Sequence, residues 1–268
     1  MIAPLNAPAP GSGDAPVHGS LETPLLETSG LSKAFGGLQV TRQVSLALHA
    51  GERVGLIGPN GAGKTTLVNL MTGTLAPSAG TVRLGGEDVT GLKQALRVRR
   101  GLARTFQITQ LAPRIPVRRQ VEMTIHQREE SSNRLLRPLD DFREVVAEAG
   151  RILQVLRLET LAWRMPLELA YGEQRLVEIA LALALRPRVL LLDEPMAGVP
   201  GSERRIILDA LAALPPALAI LMIEHDMGLV FSFASRIVVL ADGAVLADDT
   251  PQAIRSHPAV RAAYLGAA

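Results

Sequence analysis

VGLIGPNGAGKTTLVNLMTG, residues 54–73, decides the fold. Val54 to Ile57 is a short apolar run, the kind that forms a fully buried strand in a parallel sheet. GPNGAGKTT follows at once, and LVNLMTG then takes up a helical pattern. Gly58, Gly63, Lys64 and Thr65 fill every fixed position of G-x-x-x-x-G-K-T. Glycines let backbone N–H groups close around phosphate oxygens, and the helix that follows points its positive end at them. Lys64 reaches the β- and γ-phosphates of a nucleotide, and Thr65 offers its hydroxyl to Mg2+. Pro59, Asn60, Gly61, Ala62 and Thr66 complete the cradle.

Working outward, the same rhythm of apolar strand and polar end recurs. Upstream, Val44, Leu46 and Leu48 alternate with smaller or more polar residues, and Ala50-Gly51-Glu52 reads as a tight connection. Downstream, RPRVLLLDEP places Asp193 and Glu194 at the end of the run Val189 to Leu192. In open α/β folds that strand end is where ligand lies. There Asp193 serves Mg2+, and Glu194 polarises the attacking water or accepts its proton. LAILMIEHDM, residues 218–227, brings a third apolar run to Glu224, His225 and Asp226. His225 is placed to hydrogen-bond a γ-phosphate and orient water.

With 47% hydrophobic residues, a chain of 268 residues can bury one large core. A net charge of +2 gives no reason to expect a nucleic acid partner, and without Cys there are no disulfides or thiolate metal sites. No run approaches the eighteen or so apolar residues of a membrane helix. Residues 1–22, rich in Ala, Pro and Gly, lack the basic and apolar regions of a secretion signal and are expected to be a disordered tail. Between Gln107 and Leu167 the strand rhythm stops. Val145, Val146, Ala149, Ile152, Leu153, Leu156 and Leu158 recur at helical spacing, with Pro138, Asp140 and Asp141 as the expected helix start. Ser131 to Asp140 is expected to be a polar loop.

LSKAFGGLQV (31–40), RTFQIT (104–109), LELAYGEQR (167–175), LLLDEP (190–195), IEHDM (223–227) and VRAAYLG (260–266) occur in order. Together they resemble the ATP-binding subunits of ABC transporters, and most specifically those of high-affinity, binding-protein-dependent importers of branched-chain amino acids. The resemblance covers about residues 23 to 266. It implies an α/β fold: a P-loop NTPase core of ABC ATPase type, with an antiparallel β subdomain and a helical subdomain inserted at about 108–175, all in one domain. It implies ATP and Mg2+ as ligands and hydrolysis to ADP and phosphate, with Lys64, Gln107, Glu194 and His225 as catalytic groups. Phe35 would stack on the base. Gln107 would sense γ-phosphate and Mg2+, which Thr65 and Asp193 also hold. Ala170, Tyr171, Gly172 and Glu173 would cap the nucleotide of a second ATPase subunit, identical or homologous.

The further partners implied are transmembrane permease subunits and, indirectly, an extracytoplasmic solute-binding protein. The chain would sit peripherally on the cytoplasmic face of the inner or plasma membrane. Arg104 and Thr109 to Pro116 would meet the permease, and Arg114, Arg118 and Arg119 would be solvated or face it rather than bind nucleic acid. An importer for urea or amides, a lipid or lipopolysaccharide exporter, and a weakly hydrolysing regulatory subunit are the alternative readings. Two positions depart from the family pattern. Ala170 stands where a Ser is usual, and Pro200-Gly201 replaces a small polar residue followed by Pro. Even so, backbone N–H groups at the start of the helix after Ala170 are expected to face a partner's phosphate.

Overall fold

The computed structural model describes residues 23–105, 111–129 and 142–265. The expected tail (1–22), Gln107, the expected polar loop and the expected helix start at Pro138, Asp140 and Asp141 lie outside the described residues. Strands β1 (Leu26–Phe35), β2 (Leu38–Leu48), β4 (Ala79–Leu84) and β5 (Glu87–Asp88) form an antiparallel sheet in the order β2-β1-β4-β5. The main sheet contains β3 (Arg53–Ile57), β6 (Leu102–Arg104), β7 (Val189–Asp193), β8 (Ala219–Ile223), β9 (Arg236–Ala241) and β10 (Ala244–Asp249). Its order is β10-β9-β3-β8-β7-β6, parallel throughout except for the antiparallel edge strand β10.

The apolar runs explain this sheet. Every residue of β7 and β8 is buried, as strands covered on both faces must be. The register places Leu56 of β3 and Asp193 of β7 both opposite Ile223 of β8. Gly58, Glu194 and His225 therefore leave the sheet at one edge.

Alternation sorts the core by face. Leu191 and Leu221 turn toward helix α1 (Lys64–Thr72), where Leu67, Val68 and Met71 also meet Leu26 and Leu48 of the antiparallel sheet. Leu190, Leu192, Ile220 and Met222 turn the other way. They meet α5 (Tyr171–Ala184), α6 (Gly201–Ala212) and a helical module built on α3 (Val117–Arg128) and α4 (Arg143–Val155). The remaining helices are α2 (Gln94–Arg99), α7 (Met227–Phe233), α8 (Pro251–Ser256) and α9 (Pro258–Leu265). Fully burying each Leu or Val contributes about 1.5–3 kcal/mol. Buried Arg97 finishes α1: its guanidinium donates to the carbonyls of Leu70 and Met71 at 2.8 and 2.7 Å, filling acceptors that a helix end leaves open.

In the helical module Val145, Ala149, Leu153, Leu156 and Leu158 are buried, as their spacing predicts. Arg118 and Arg119 are not free surface charges. Each donates at 2.8 Å to Glu122, which is wholly buried, and both guanidinium groups lie over the exposed Trp163 ring. A second carboxylate ties the module together. Glu148 of α4 accepts two bonds from Arg128 of α3, both 2.9 Å, and two from Arg186 beyond α5, 2.9 and 2.6 Å.

Burial disfavours the Glu148 carboxylate, but the bonds from Arg128 and Arg186 outweigh it and hold the carboxyl below its usual range. A depressed carboxyl pKa stabilises the fold above the unfolded value and ceases to do so as pH falls through the folded one. Breaking a buried ion pair costs about 3–5 kcal/mol, and the exposed Arg186 arm lowers that here. Glu148→Gln is expected to cost about 2–3 kcal/mol at neutral pH. It should also flatten the loss of stability below about pH 4. Denaturant melts across pH measure both, and parallel curves for parent and variant would exclude this role.

Candidate functional site

The loop Gly58–Thr66 joins β3 to α1 where neighbouring backbone leaves no room for side chains. A Cβ on Gly58 would lie 2.2 Å from the Leu240 carbonyl oxygen, and one on Gly63 2.6 Å from that of Val40. Gly63 also has φ +95°, the left-handed region that glycine enters without strain. Helix α1 has no side-chain cap and no acid in its first turn, so its leading N–H groups suit an anionic ligand. Lys64 is nearly buried and donates to the carbonyls of Gly58 at 2.7 Å and Pro59 at 3.0 Å. Burial lowers its ammonium pKa, and Glu194 counteracts this. Loop residues 60–66, Val40, Glu194 and His225 enclose a cavity of about 260 Å³.

Glu194 reaches this cavity by a sharp turn, at φ +49°, a conformation uncommon outside glycine and enriched at functional sites. Its Oε1 lies 2.6 Å from His225 Nε2. An ionised carboxylate only accepts, so His225 donates. Glu224, one residue earlier, is buried and accepts from the backbone N–H groups of Met196 (2.8 Å) and His225 (3.2 Å). Burial pushes its carboxyl pKa up, and the two N–H bonds pull against that. Glu224 thus fixes the turns that carry both Glu194 and His225. Sequence reading placed Glu224 at the end of its apolar run without giving it a role, although an acid directly after five apolar residues was the signal.

Asp193 is buried and does not line the cavity. Its Oδ2 takes a 2.5 Å bond from Arg104, whose other amino group donates to Asn69 Oδ1 at 2.6 Å. This corrects the expectation that Arg104 faces a permease. A strand-borne Arg beside a buried carboxylate is drawn inward, because an unpaired buried charge is costly. No group of three or more His, Asp or Glu able to hold a metal occurs among the described residues. The hydroxyl of Thr65 and the carboxylate of Asp193 are oxygen donors of the type Mg2+ takes beside phosphates and water, and the Asp193 Oδ2 is here bonded to Arg104.

Ala170 precedes α5, and its N–H donates to Glu173 Oε2 at 2.8 Å. That is one half of a capping box; the other half needs a side-chain oxygen that Ala170 lacks. The Gly172 N–H, expected to be open to a partner's phosphate, instead donates to Glu203 Oε2 of α6 at 2.8 Å. Sequence reading missed Glu203, which reads as an ordinary acid in a first helical turn. Tyr171 lies against Gly198, and its hydroxyl accepts from Arg175 at 2.9 Å. Pro200 precedes the first residue of α6, and nothing crowds a Cβ at Gly201, so the altered pair still starts the helix cleanly.

The structure therefore brings together the loop, Lys64, Glu194 and His225, and none of residues 170–173 lines their cavity. Phe35 also stands apart, half exposed at the end of β1, with Lys33 Nζ 5.3 Å from its ring centre.

The family model described as "ABC transporter" matches residues 41–197, and that described as "Branched-chain amino acid ATP-binding cassette transporter" matches residues 244–268. The high-affinity branched-chain amino acid transport ATP-binding protein BraF of Pseudomonas aeruginosa is 41% identical over 256 residues, 92% of this chain and 100% of BraF. Its counterpart LivG of Escherichia coli (strain K12) is 39% identical over 257 residues, 92% of this chain and 100% of LivG. The solved structure of MJ1267, an ATP-binding cassette of an ABC transporter in its ADP conformation, is 30% identical. It matches with a TM-score of 0.79 over 91% of this chain and 99% of that one.

The missing half of the α5 capping box sets up a stability test. Ala170→Ser supplies the acceptor and is expected to stabilise the chain by about 1 kcal/mol. Its thermal midpoint should rise by about 2 °C. An unchanged midpoint would show that the helix start gains nothing from the hydroxyl.

Proposed function

The chain belongs to the ABC transporter family as an ATP-hydrolysing importer subunit, and we propose that it hydrolyses MgATP at the cavity beside Glu194 and His225 to power uptake of branched-chain amino acids. The observation that carries the assignment of the site is the 2.6 Å His225–Glu194 bond beside an uncapped phosphate loop. The loop N–H groups receive the phosphates. Lys64 turns from the Gly58 and Pro59 carbonyls to the β- and γ-oxygens. Glu194 takes a proton from water as the water oxygen bonds to the γ-phosphorus and the bond to ADP breaks. His225 shifts its hydrogen bond toward the γ-phosphate, and Gln107 completes that shell. When bound, Mg2+ neutralises charge on the β- and γ-oxygens, and Thr65 and Asp193 would hold it. Catalysis of this kind rests on positioning and electrostatics, since phosphoryl transfer needs little covalent help.

Residues 170–173 lie off the cavity of their own chain, which supports their serving the nucleotide of a second ATPase subunit, identical or homologous. On that reading Glu203 must yield the Gly172 N–H when a partner's phosphate arrives. Phe35, on the hairpin that brings Val40 to the loop, would stack on the base, and its half-exposed ring supports that reading. No helix among the described residues is long and apolar enough to cross a membrane, in keeping with separate permease subunits. The chain then sits peripherally on the cytoplasmic face, and an extracytoplasmic binding protein delivers solute. The choice of solute rests on what BraF and LivG transport and on the match at residues 244–268.

Copurification with the permease subunits, followed by ATPase assays with binding protein loaded with leucine, isoleucine or valine, tests this function. Stimulation by urea or amides and not by these three would assign a different solute. Glu194→Gln should slow hydrolysis by about 100-fold or more while nucleotide affinity stays near that of the parent. Retained turnover would remove Glu194 from the reaction. In the assembled complex Ala170→Ser should raise the maximal rate, by about tenfold at most, since a hydrogen bond to a charged group is worth roughly 1.5–3 kcal/mol and water replaces part of it. An unchanged rate, with unchanged affinity between ATPase subunits, would show that the hydroxyl is dispensable.

A further inference from the structure

A second concavity lies at the far end of the main sheet. Ala50, Pro187 and Leu218 precede β3, β7 and β8, and all three line a groove of about 600 Å³. These strands run parallel, so their starts share one edge and the phosphate loop leaves from the other. No residue of the groove lines the cavity beside Glu194 and His225. Ile152 and Val155 of α4 line it too, so it runs between the helical module and the sheet. A groove of this size with a mostly apolar lining and a few polar groups suits a small organic ligand.

Its charged residues are Glu148, Arg151, Arg186 and Arg188. Glu148 already accepts four N–H bonds from Arg128 and Arg186, which fills the lone pairs it could offer a ligand ammonium. The cations are in surplus. Among the described residues, the Arg151 and Arg188 guanidinium groups have no hydrogen-bond or ion-pair partner. Arg188 nevertheless has space kept for it. A Cβ on Gly85 would lie 3.0 Å from its Nη1, and one on Gly101 3.2 Å from its Cγ. Two glycines thus make room for an arginine that no carboxylate of the fold holds. Arg186 follows α5 at φ +51°, a left-handed helix ending that glycine usually supplies.

We propose that this groove binds an organic acid with a hydrocarbon body, its carboxylate on the arginine rim and its body along Ile152, Val155 and Leu218. A planar carboxylate matches the fork of a guanidinium group. Singly charged, it loses less hydration on entering an apolar groove than a phosphate head would. An ammonium group would meet arginines of like charge and find Glu148 already occupied.

Octanoate, titrated calorimetrically into the full chain, is the probe. It should bind saturably and about tenfold or more tighter than octanol or octylammonium, the factor that a hydrogen bond to a charged group supplies. Arg151→Gln and Arg188→Gln should each weaken octanoate by about tenfold and leave octanol unchanged. Neither substitution removes an internal partner, so the thermal midpoint should stay at the parent value. Octanoate should also raise hydrogen-exchange protection across 148–155 and 215–218. Parent-like octanoate affinity in both arginine variants, or equal affinity for octanol, would reduce the groove to an apolar surface and overturn the proposal. Tighter binding of octyl phosphate would overturn the carboxylate assignment. Absence of saturable octanoate binding would overturn the proposal outright, whether the groove is then empty or covered by residues 1–22, a second copy or a protein partner.

Discussion

The site depends on the register of three buried parallel strands. Leu56 and Asp193 both lie opposite Ile223, so β3, β8 and β7 end on a common line. Beyond that line the chain has three exits, and each starts with a constrained turn. Gly58 and Gly63 leave no space for a Cβ, Glu194 takes a positive φ, and Glu224 pins the Met196 and His225 backbone. A slip of one residue in any strand would turn its side chains to the other face. A slip in β7 would displace Asp193 and Glu194, and one in β8 would displace His225.

Charge is the second organising constraint. The groups assigned to nucleotide already have internal partners. Lys64 rests on loop carbonyls, Arg104 on Asp193, His225 on Glu194, and Glu203 on the Gly172 N–H. A buried charge without a partner costs several kcal/mol, so such contacts keep the site ordered before ligand arrives. Binding is then an exchange of partners, and the free energy released is the difference between two sets of bonds. Arg104 supplies the positive charge beside Asp193 in this arrangement.

Much of this was legible in residue order. Strands β3, β7 and β8 are continuous apolar runs with the candidate site residues at or directly after their ends, so a linear pattern reports both element and candidate site. Helix α4 is equally plain, because Val145, Ala149 and Leu153 repeat at the helical period. Arg104 was misread, and the pairing of the part-exposed Arg118 and Arg119 with Glu122 was not foreseen, for one shared reason. An arginine looks solvated in sequence, and only a distant carboxylate, Asp193 or Glu122, draws it inward. Glu203 was invisible because its partner, the Gly172 N–H, lies 31 residues away on another helix.

The sequence by itself determined the phosphate loop, the strand-end acids, the histidine after β8 and the alternation that sorts the core into faces. These are local: each needs only neighbours along the chain and the period of a strand or helix. Tertiary structure alone decided which charges are spent internally and that residues 170–173 stand away from their own loop. Those outcomes depend on contacts between residues far apart in sequence. Their energy comes from desolvation and geometry that exist only once the sheet has assembled.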